Sequence, residues 1–330
     1  MNDISCLAPV IITTLNRYEH FKVCLESLEK CTWAEYTDIY VALDFPPSEK
    51  YKIGWEKISK FLDYKKENNI FHNLYVIKRE YNYGIGHINS NGNSLIHEIK
   101  NKYDRYILSE DDNIFSPNFL VYLNKGLEKF KDDDRICCVC GYNYPMEFPD
   151  NYKNNYYITK HGSPWGYGTW FSRQKDFDRY YDLNYLKNLL KDEESFKKLK
   201  KYRPSAIGSI LNMIKNDDIY GDTAKGCYII LEDKYWICPV ISKVKNIGDD
   251  GSGAHATRKN KQLLKFYSEQ IVDKEKEFEF TDDIFTYEPV LLNRYSAPIS
   301  KLRELYKGLV TRIDLFLFRN FNYIPKSKYI

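Results

Sequence analysis

The acidic triplet at residues 110–112 (Glu-Asp-Asp) is the part of this sequence that most directly suggests chemistry. It follows a short apolar run, residues 106–108, which is typical of a buried strand. Adjacent carboxylates repel one another, and a hard divalent cation bound through oxygen ligands relieves that repulsion. The triplet therefore predicts a Mg²⁺ or Mn²⁺ site with positions open for phosphate oxygens. The alternative is an acidic surface turn, which is how we interpret the triplet at 132–134.

The strand that carries the triplet belongs to a repeating strand–helix pattern. Strand-like runs at Pro9–Thr14, Ile39–Leu43 and Leu74–Ile77 alternate with segments of helical spacing. This order predicts a parallel sheet with right-handed crossovers. Asp44 directly follows the second run, so it should lie at the same edge as the triplet. In open α/β folds, ligands bind at that edge.

The rest of the chain continues the pattern and then changes character. We expect a helix after the triplet, with Ser116 as its N-cap and Pro117 at its first position. Further strands are predicted at 136–140, 156–159 and 235–239, with charged helices over 173–215 and a helix from Asp222 to about Leu231. The tail from about residue 301 is apolar on one side and basic on the other. The predicted fold class is α/β, a three-layer α/β/α arrangement with a mostly parallel sheet and a C-terminal helical extension.

Composition narrows the classes of function. The chain has 330 residues, 43% of them hydrophobic, which is enough for a large core. Its net charge of +3 is too small to indicate nucleic acid as a partner. The chain has eight cysteines; Cys137 and Cys140 are in C-x-x-C spacing, but with Cys138 they belong to one apolar strand-like run, where they should pack as small hydrophobic residues. No signal peptide is apparent, so we expect a cytoplasmic protein with free thiols. No run of 18 apolar residues is present, and no transmembrane helix is expected.

Three glycine-containing segments could contact a ligand. Residues 82–93 hold Gly84 and Gly86, but their spacing is not that of a dinucleotide fingerprint. Residues 161–170 combine two Trp, one Tyr and three Gly, a mixture that suits stacking on sugars or packing of the segment's own Trp side chains. Residues 246–255 end in His255, which could add a ligand to the metal site.

Taken in order, these features resemble bacterial GT-A-fold glycosyltransferases of the inverting, family 2-like kind. The resemblance covers residues 8–258: the opening strand with Asn16-Arg17, the strand-end Asp44, Asn82-x-Gly84, the triplet, the 165–170 segment and the 246–255 loop. The triplet and the Ile-Phe-Ser-Pro-Asn-Phe that follows it are also similar to the metal motif of the N-acetylglucosaminyltransferase I family. The implied domain spans 1–258, with a nucleotide-binding half (1–112) and an acceptor half (113–258). Residues 259–330 form a partly helical extension.

The resemblance implies a role for each matching position. The positions that would bind the nucleotide are Thr13, Arg17, Asp44, Asn82, Gly84, His87 and Asp111. The metal would be bound by Asp112 and His255, and the donor or acceptor sugar would lie against Trp165, Gly166, Tyr167 and Trp170. Asp222 matches the catalytic base, but Gly221 stands where relatives usually carry Trp. Asp217 and Asp218 therefore remain alternative bases.

The implied reaction is metal-dependent, inverting transfer of a sugar from a nucleotide-diphosphate donor, with UDP as the expected nucleotide. The acceptor would be a hydroxyl of a glycan or of a lipid- or protein-linked glycoconjugate. The tail would allow peripheral contact with the inner face of the membrane. Two alternatives stay open. One is a sugar-nucleotide nucleotidyltransferase, although the first strand–helix turn lacks the glycines of such enzymes. The other is an inactive carbohydrate-binding protein of the same fold.

Overall fold

The computed structural model describes residues 7–145, 148–174, 177–248, 250–252, 270–281 and 301–325. Its strands are β1 (Val10–Thr14), β2 (Asp38–Leu43), β3 (Asn73–Lys78), β4 (Arg105–Glu110), β5 (Asn113–Phe115), β6 (Ile136–Cys140), β7 (Tyr156–Thr159), β8 (Tyr167–Trp170), β9 (Tyr235–Pro239) and β10 (Val244–Asn246). Its helices are α1 (Tyr18–Leu28), α2 (Glu49–Glu67), α3 (Asn91–Ile99), α4 (Phe119–Lys129), α5 (Leu183–Lys191), α6 (Glu193–Tyr202), α7 (Pro204–Asn216), α8 (Gly221–Leu231) and α9 (Lys301–Phe321). Short 3-10 turns lie at Ala34–Tyr36, Phe171–Gln174 and Asp178–Tyr181.

Eight of the strands form one sheet in the order β3-β2-β1-β4-β8-β6-β9-β7. The first four are parallel, as are β6 and β9, while β8 and β7 run antiparallel to their neighbours. The predicted α/β class with a mostly parallel sheet is therefore confirmed. The sheet takes strands from both sides of residue 112, and the proposed division of the domain there stays a prediction.

Helices cover both faces of the sheet because β1 is apolar on both sides. Val10 and Ile12 pack with α1 on one face, whereas Ile11 packs with Leu95 of α3 on the other. Further along the sheet, Gly168 of β8 lies against α4, where an added Cβ would come within 2.8 Å of the Leu127 side chain. Near-continuous apolar strands are expected when a parallel sheet is buried on both faces.

The segment after the acidic triplet differs from the prediction. Helix α4 begins at Phe119 with Asn118 as its N-cap, so the predicted start at Ser116 and Pro117 was wrong. Residues 113–115 instead form β5, which pairs with β10, and the Ser116 amide extends this pairing by donating to the Lys243 carbonyl at 2.8 Å. The Ser116 hydroxyl donates to Asn118 Oδ1 at 2.9 Å. The acids thus sit between β4 and a small second sheet.

Helices α5 to α7 pack beside α8, and α9 lies on α7, where the Gly208 backbone meets the Thr311 side chain. All seven cysteines in the described part of the chain are buried free thiols. Within the described residues, no helix combines the length and the apolar character needed to cross a membrane.

The core beneath the site should dominate stability. Leu127 is fully buried between α4 and the sheet, so Leu127→Ala should lower the free energy of unfolding by about 2–5 kcal/mol through lost burial and a residual cavity. Ile53 on α2 is 73% exposed, and Ile53→Ala should change it by less than about 0.5 kcal/mol. Urea denaturation measures both, and equal effects would contradict this assignment of the core.

Candidate active site

Three strands of the sheet end together and bring the predicted polar residues to one edge. Thr13 of β1 is in register with Glu110 of β4, and Thr14 is in register with Leu43 of β2. The Asp44 amide continues the pairing by donating to the Thr14 carbonyl at 2.9 Å. Because these strands are parallel, their carboxyl ends form one rim, as the sequence predicted.

A guanidinium bridges the last two acids of the triplet. Arg17 Nη2 lies 2.5 Å from Asp111 Oδ1 and 2.7 Å from Asp112 Oδ2. The Thr14 hydroxyl donates to Asp111 Oδ2 at 2.8 Å, and both carboxylates are buried. Burial raises the pKa of Asp111, and Arg17 only partly opposes that shift. Burial alone would lower the pKa of Arg17, but its two acidic partners hold that pKa above the ordinary value.

The segment after β10 closes over Asp112. Asn246 Nδ2 donates to Asp112 Oδ1 at 2.7 Å, and the Ile247 amide donates to the Asp112 carbonyl at 2.9 Å. The Gly248 backbone comes so near that an added Cβ would lie 1.9 Å from Asp112 Oδ2, so a larger residue does not fit. The predicted metal ligand His255 lies outside the described residues.

Asp44 anchors the glycine-containing loop. Its Oδ1 accepts from the amides of Phe45 and Tyr83 at 2.9 and 2.8 Å. Its Oδ2 accepts from the Gly84 amide at 2.9 Å and from Asn82 Nδ2 at 3.2 Å. Gly84 has φ +66°, a conformation that favours glycine. Because all four acceptor positions of the carboxylate are used, this geometry gives Asp44 a positioning role towards the loop.

The same loop reaches α8 and the end of β1. An added Cβ on Gly86 would lie 3.2 Å from the Ile219 carbonyl, just before α8, and one on Gly92 would lie 3.4 Å from Thr13 Cγ2. His87 is exposed, and its ring lies close to Gly84. The loop thus joins the nucleotide-binding residues predicted on β1 to the segment that carries the predicted base.

The three candidate bases differ in their surroundings. Asp217 is in the left-handed region (φ +52°) at the end of α7, and Asp218 Oδ1 accepts from the Ile219 amide at 2.8 Å. Both therefore have local roles in ending one helix and starting the next turn. Asp222 is exposed in the first turn of α8, where the helix dipole favours a negative charge. The negative charge of Asp222 raises the pKa of Glu110 and of Tyr181, so Asp222 lies near both groups.

Glu110 lies near both the Asp111–Asp112 pair and Asp222. Burial raises its pKa well above the usual range, and the negative charges of Asp112 and Asp222 raise it further. No hydrogen bond or ion pair holds its side chain within the described part of the chain. Because Asp112 and Asp222 both raise the pKa of Glu110, both carboxylates lie near Glu110 at the edge of the sheet.

The aromatic segment is more structural than expected. Tyr167–Trp170 is strand β8, and Gly166 (φ +72°) packs its backbone against Phe119 and Val244 in the core. Trp165 meets Tyr142 edge-on, with ring centroids 4.7 Å apart. Trp170 is paired with Arg105 at the opposite end of β4, roughly 16 Å along the strand from Glu110. The structure therefore does not bring Trp170 together with the acidic cluster.

Tyr167 faces Lys225 on α8. The amine of Lys225 donates to the Tyr167 hydroxyl at 3.4 Å and lies over the rings of Tyr167, Phe177 and Trp236 at 4.5, 5.3 and 5.8 Å. Lys225 is one turn after Asp222, so both project from the same side of the helix. This aromatic cage fixes the start of α8 against the sheet.

The chemistry of the donor set fits a divalent cation. Mg²⁺ is commonly held by one or two carboxylates together with substrate phosphates, and each oxygen of Asp111 and Asp112 keeps a lone pair beyond its present hydrogen bond. No group of three or more Cys, His, Asp and Glu side chains is arranged to hold a metal within the described residues. Arg17 supplies the positive charge between the two aspartates in this structure.

Some residues of the site were not predicted from the sequence. Thr14 follows the predicted Thr13 but points to the opposite face, which the alternation along a strand could have indicated. Asn246 was noted only as the start of a loop, and its bond to Asp112 depends on the unpredicted pairing of β5 with β10. The cage around Lys225 carries no recognisable sequence signal.

A groove of about 610 Å³ lies elsewhere, beside β3. Side chains from β2, β3, α2 and α3 line it, and none of the predicted site residues is among them.

Neither a protein-family model nor a curated protein sequence matches the chain. Solved structures with some likeness include S. aureus TarS 1–349 in complex with UDP (16% identical, TM-score 0.37, 69% of this chain and 70% of that one). Another is the mannosyltransferase PcManGT from Pyrobaculum calidifontis in complex with GDP-Man and Mn²⁺ (8%, 0.35, 69% and 71%). A third is mouse xyloside xylosyltransferase 1 (9%, 0.34, 69% and 83%). Likenesses of this size carry no weight for the function of this chain.

The raised pKa of Glu110 predicts a pH-dependent stability. Above about pH 4.5 the unfolded Glu110 has lost its proton while the folded one keeps it, so stability falls as pH rises towards the folded pKa. Glu110→Gln removes this loss and should be more stable than the wild type at pH 7, with the difference shrinking towards pH 4.

Glu128 is the matched control for this prediction. The hydrogen bond from Lys131 is the main cause that lowers the pKa of Glu128. Glu128→Gln removes the ionised side chain that this bond stabilises, so the variant should be slightly less stable than the wild type at pH 7. Urea denaturation at several pH values measures both variants. A Glu110→Gln protein that is less stable than the wild type at pH 7 would show that this side chain is ionised and favourably paired.

Proposed function

We propose that this protein is a glycosyltransferase that moves a sugar from a nucleoside-diphosphate donor to a hydroxyl acceptor. The observation that carries the proposal is the arrangement at the carboxyl edge of the sheet: Arg17 held by Asp111 and Asp112, with the exposed carboxylate of Asp222 nearby on α8. Arg17 can bind the departing diphosphate, and the Asp222 carboxylate can accept a proton from the acceptor hydroxyl. Both are needed for a single displacement at a sugar carbon.

The donor would lie along the edge formed by β1, β2 and the 82–90 loop. Thr13, Asn82, Gly84 and His87 line this edge, and Asp44 holds the loop in place. Arg17 is suited to phosphate oxygens because its planar guanidinium donates two parallel hydrogen bonds. Its charge would stabilise the negative charge that develops on the leaving diphosphate. We expect a UDP-sugar as donor, as the sequence motifs imply.

A divalent cation would also stabilise the negative charge on the leaving diphosphate. Asp112, with Asp111 beside it and His255 as the further ligand predicted from sequence, would hold Mn²⁺ or Mg²⁺. Such an ion supplies Lewis-acid stabilisation of the leaving diphosphate. Arg17 would then share the neutralisation of the phosphates.

Asp222 would act as the general base. It is exposed to an incoming acceptor and lies near Glu110 at the edge of the sheet. Removing the proton from the acceptor hydroxyl during attack is worth on the order of 10²–10⁴-fold in rate. Attack from the side opposite the diphosphate inverts the anomeric centre. We expect Trp165 and Tyr167 to be the aromatic residues that contact a sugar, as the sequence motifs imply.

The donor test defines the class of reaction. The protein is incubated with a panel of UDP- and GDP-sugars and Mn²⁺, and release of nucleoside diphosphate is measured. We expect slow hydrolysis of one donor, accelerated by an acceptor glycan. Pyrophosphate-dependent formation of a sugar nucleotide would instead identify a nucleotidyltransferase, and sugar binding without turnover an inactive carbohydrate-binding protein. Either result contradicts the proposal.

Replacing the proposed base should separate catalysis from binding. Asp222→Asn should lower kcat by about 10²–10⁴-fold, because the acceptor proton has no base, while the Kd for the donor changes little. Asp218→Asn is the control, with the same change of charge four residues away, and should keep most of the activity. If Asp218→Asn is the inactive variant and Asp222→Asn turns over normally, the two assignments must be exchanged.

Arg17 should compete with a metal for the two aspartates in the absence of nucleotide. Arg17→Met removes the positive charge at 2.5–2.7 Å from their oxygens and should strengthen Mn²⁺ binding on the order of tenfold. Calorimetric titration with Mn²⁺ measures the affinity. Arg105→Met, which removes an arginine of similar exposure that pairs with Glu128 at the far end of β4, should leave the Mn²⁺ affinity unchanged. Weaker Mn²⁺ binding in Arg17→Met would show that these carboxylates are not the metal ligands.

A further inference from the structure

One side of helix α9 contacts other described parts of the protein, and the opposite side does not. On the docked side, Asp314 and Phe318 are 2% exposed, and Thr311 meets Gly208 of α7. Arg319 fastens the end of the helix. Its Nε donates to the Leu190 carbonyl at 2.8 Å, and its guanidinium lies 3.9 Å from the ring centroid of Phe196. The orientation of α9 on the domain is therefore defined.

The opposite side presents a row of large apolar side chains to solvent. Leu305, Leu309, Ile313 and Phe316 are 71%, 58%, 50% and 60% exposed. Their spacing of four, four and three residues places them in one stripe. Tyr306, at 58% exposed, widens it. Single exposed apolar residues are ordinary on a protein surface, but a continuous stripe along a helix marks a binding surface.

Helix α9 and the three helices on which it docks have an excess of positive charge. Residues 183–216, which form α5 to α7, contain eight basic and three acidic residues. Residues 301–325 contain five basic and two acidic residues. These two segments therefore have a net charge of +8, while the whole chain has +3. Arg312 and Lys307 are exposed on α9 itself, and Lys191 joins the two segments by donating to Asn322 Oδ1 at 3.2 Å.

We propose that the exposed face of α9 binds the surface of an anionic lipid bilayer, with the helix in the plane of the interface. Such a surface accepts apolar side chains at the boundary between headgroups and acyl chains and attracts nearby Lys and Arg. Nucleic acid would match the charge but not the stripe of Leu, Ile and Phe. A second copy of the chain would match the stripe but would bring two layers of net charge +8 together. The inference is independent of the active site, because none of these residues belongs to it.

The test is sedimentation of the full-length protein with vesicles of phosphatidylcholine alone or of equal parts phosphatidylcholine and phosphatidylglycerol. We expect the protein to pellet with the mixed vesicles much more than with the neutral ones, and added salt should weaken this binding. Leu309→Gln combined with Ile313→Gln should reduce the affinity for mixed vesicles by about tenfold or more. Ile53→Gln, at a position 73% exposed on α2, is the matched control and should bind like the wild type.

Several outcomes would overturn the proposal. No binding to mixed vesicles at low salt would do so, as would equal binding by the double variant and the wild type. A dimer in sedimentation velocity that the double variant abolishes, without vesicle binding by the wild type, would assign the face to a second copy. If circular dichroism shows that the double variant is unfolded, Arg312→Glu decides instead, because Arg312 is exposed and lies one turn before Phe316 at the edge of the stripe. It should bind mixed vesicles more weakly and neutral ones equally, and unchanged binding to mixed vesicles would contradict the proposal.

Discussion

The ion pair between Arg17 and the two aspartates is the interaction on which the site depends. Two buried carboxylates side by side would be costly without a cation, because burial and mutual repulsion both oppose their ionisation. The pair exists because β1 and β4 end in register, so that Thr14 and Arg17 reach Asp111. The segment from Asn246 to Gly248 then packs against Asp112. The sheet, the loop and the charge therefore form one unit.

Much of this unit could be predicted from the sequence because local patterns determine it. Apolar runs of three to six residues ending at or just before Thr14, Asp44 and the triplet indicated parallel strands whose carboxyl ends meet. The strands at 136–140, 156–159 and 235–239 were also found from their apolar runs and appear with the predicted bounds. The glycines of the 82–93 loop were predicted to allow close approach of a ligand, which stays a prediction; Gly84 and Gly86 have φ +66° and +86°, conformations that favour glycine.

The rest could not be predicted because it depends on contacts distant in sequence. The start of α4 was placed two residues too early, since Ser116 and Pro117 read locally as a helix start while the pairing of β5 with β10 keeps the chain extended. Trp170 looked like part of a sugar-binding loop, yet its strand pairs with Arg105 at the far end of β4. Only the sheet order reveals on which edge a residue lies.

The central claim is that the paired aspartates form the binding site for a nucleoside diphosphate. Calorimetric titration of UDP and GDP into the wild type and Asp112→Asn, each with and without Mn²⁺, tests it most directly. The account predicts that one of these nucleotides binds the wild type and that Asp112→Asn weakens this binding by about tenfold or more with Mn²⁺ present. If neither nucleotide binds the wild type, or if Asp112→Asn binds it equally well, the claim is contradicted.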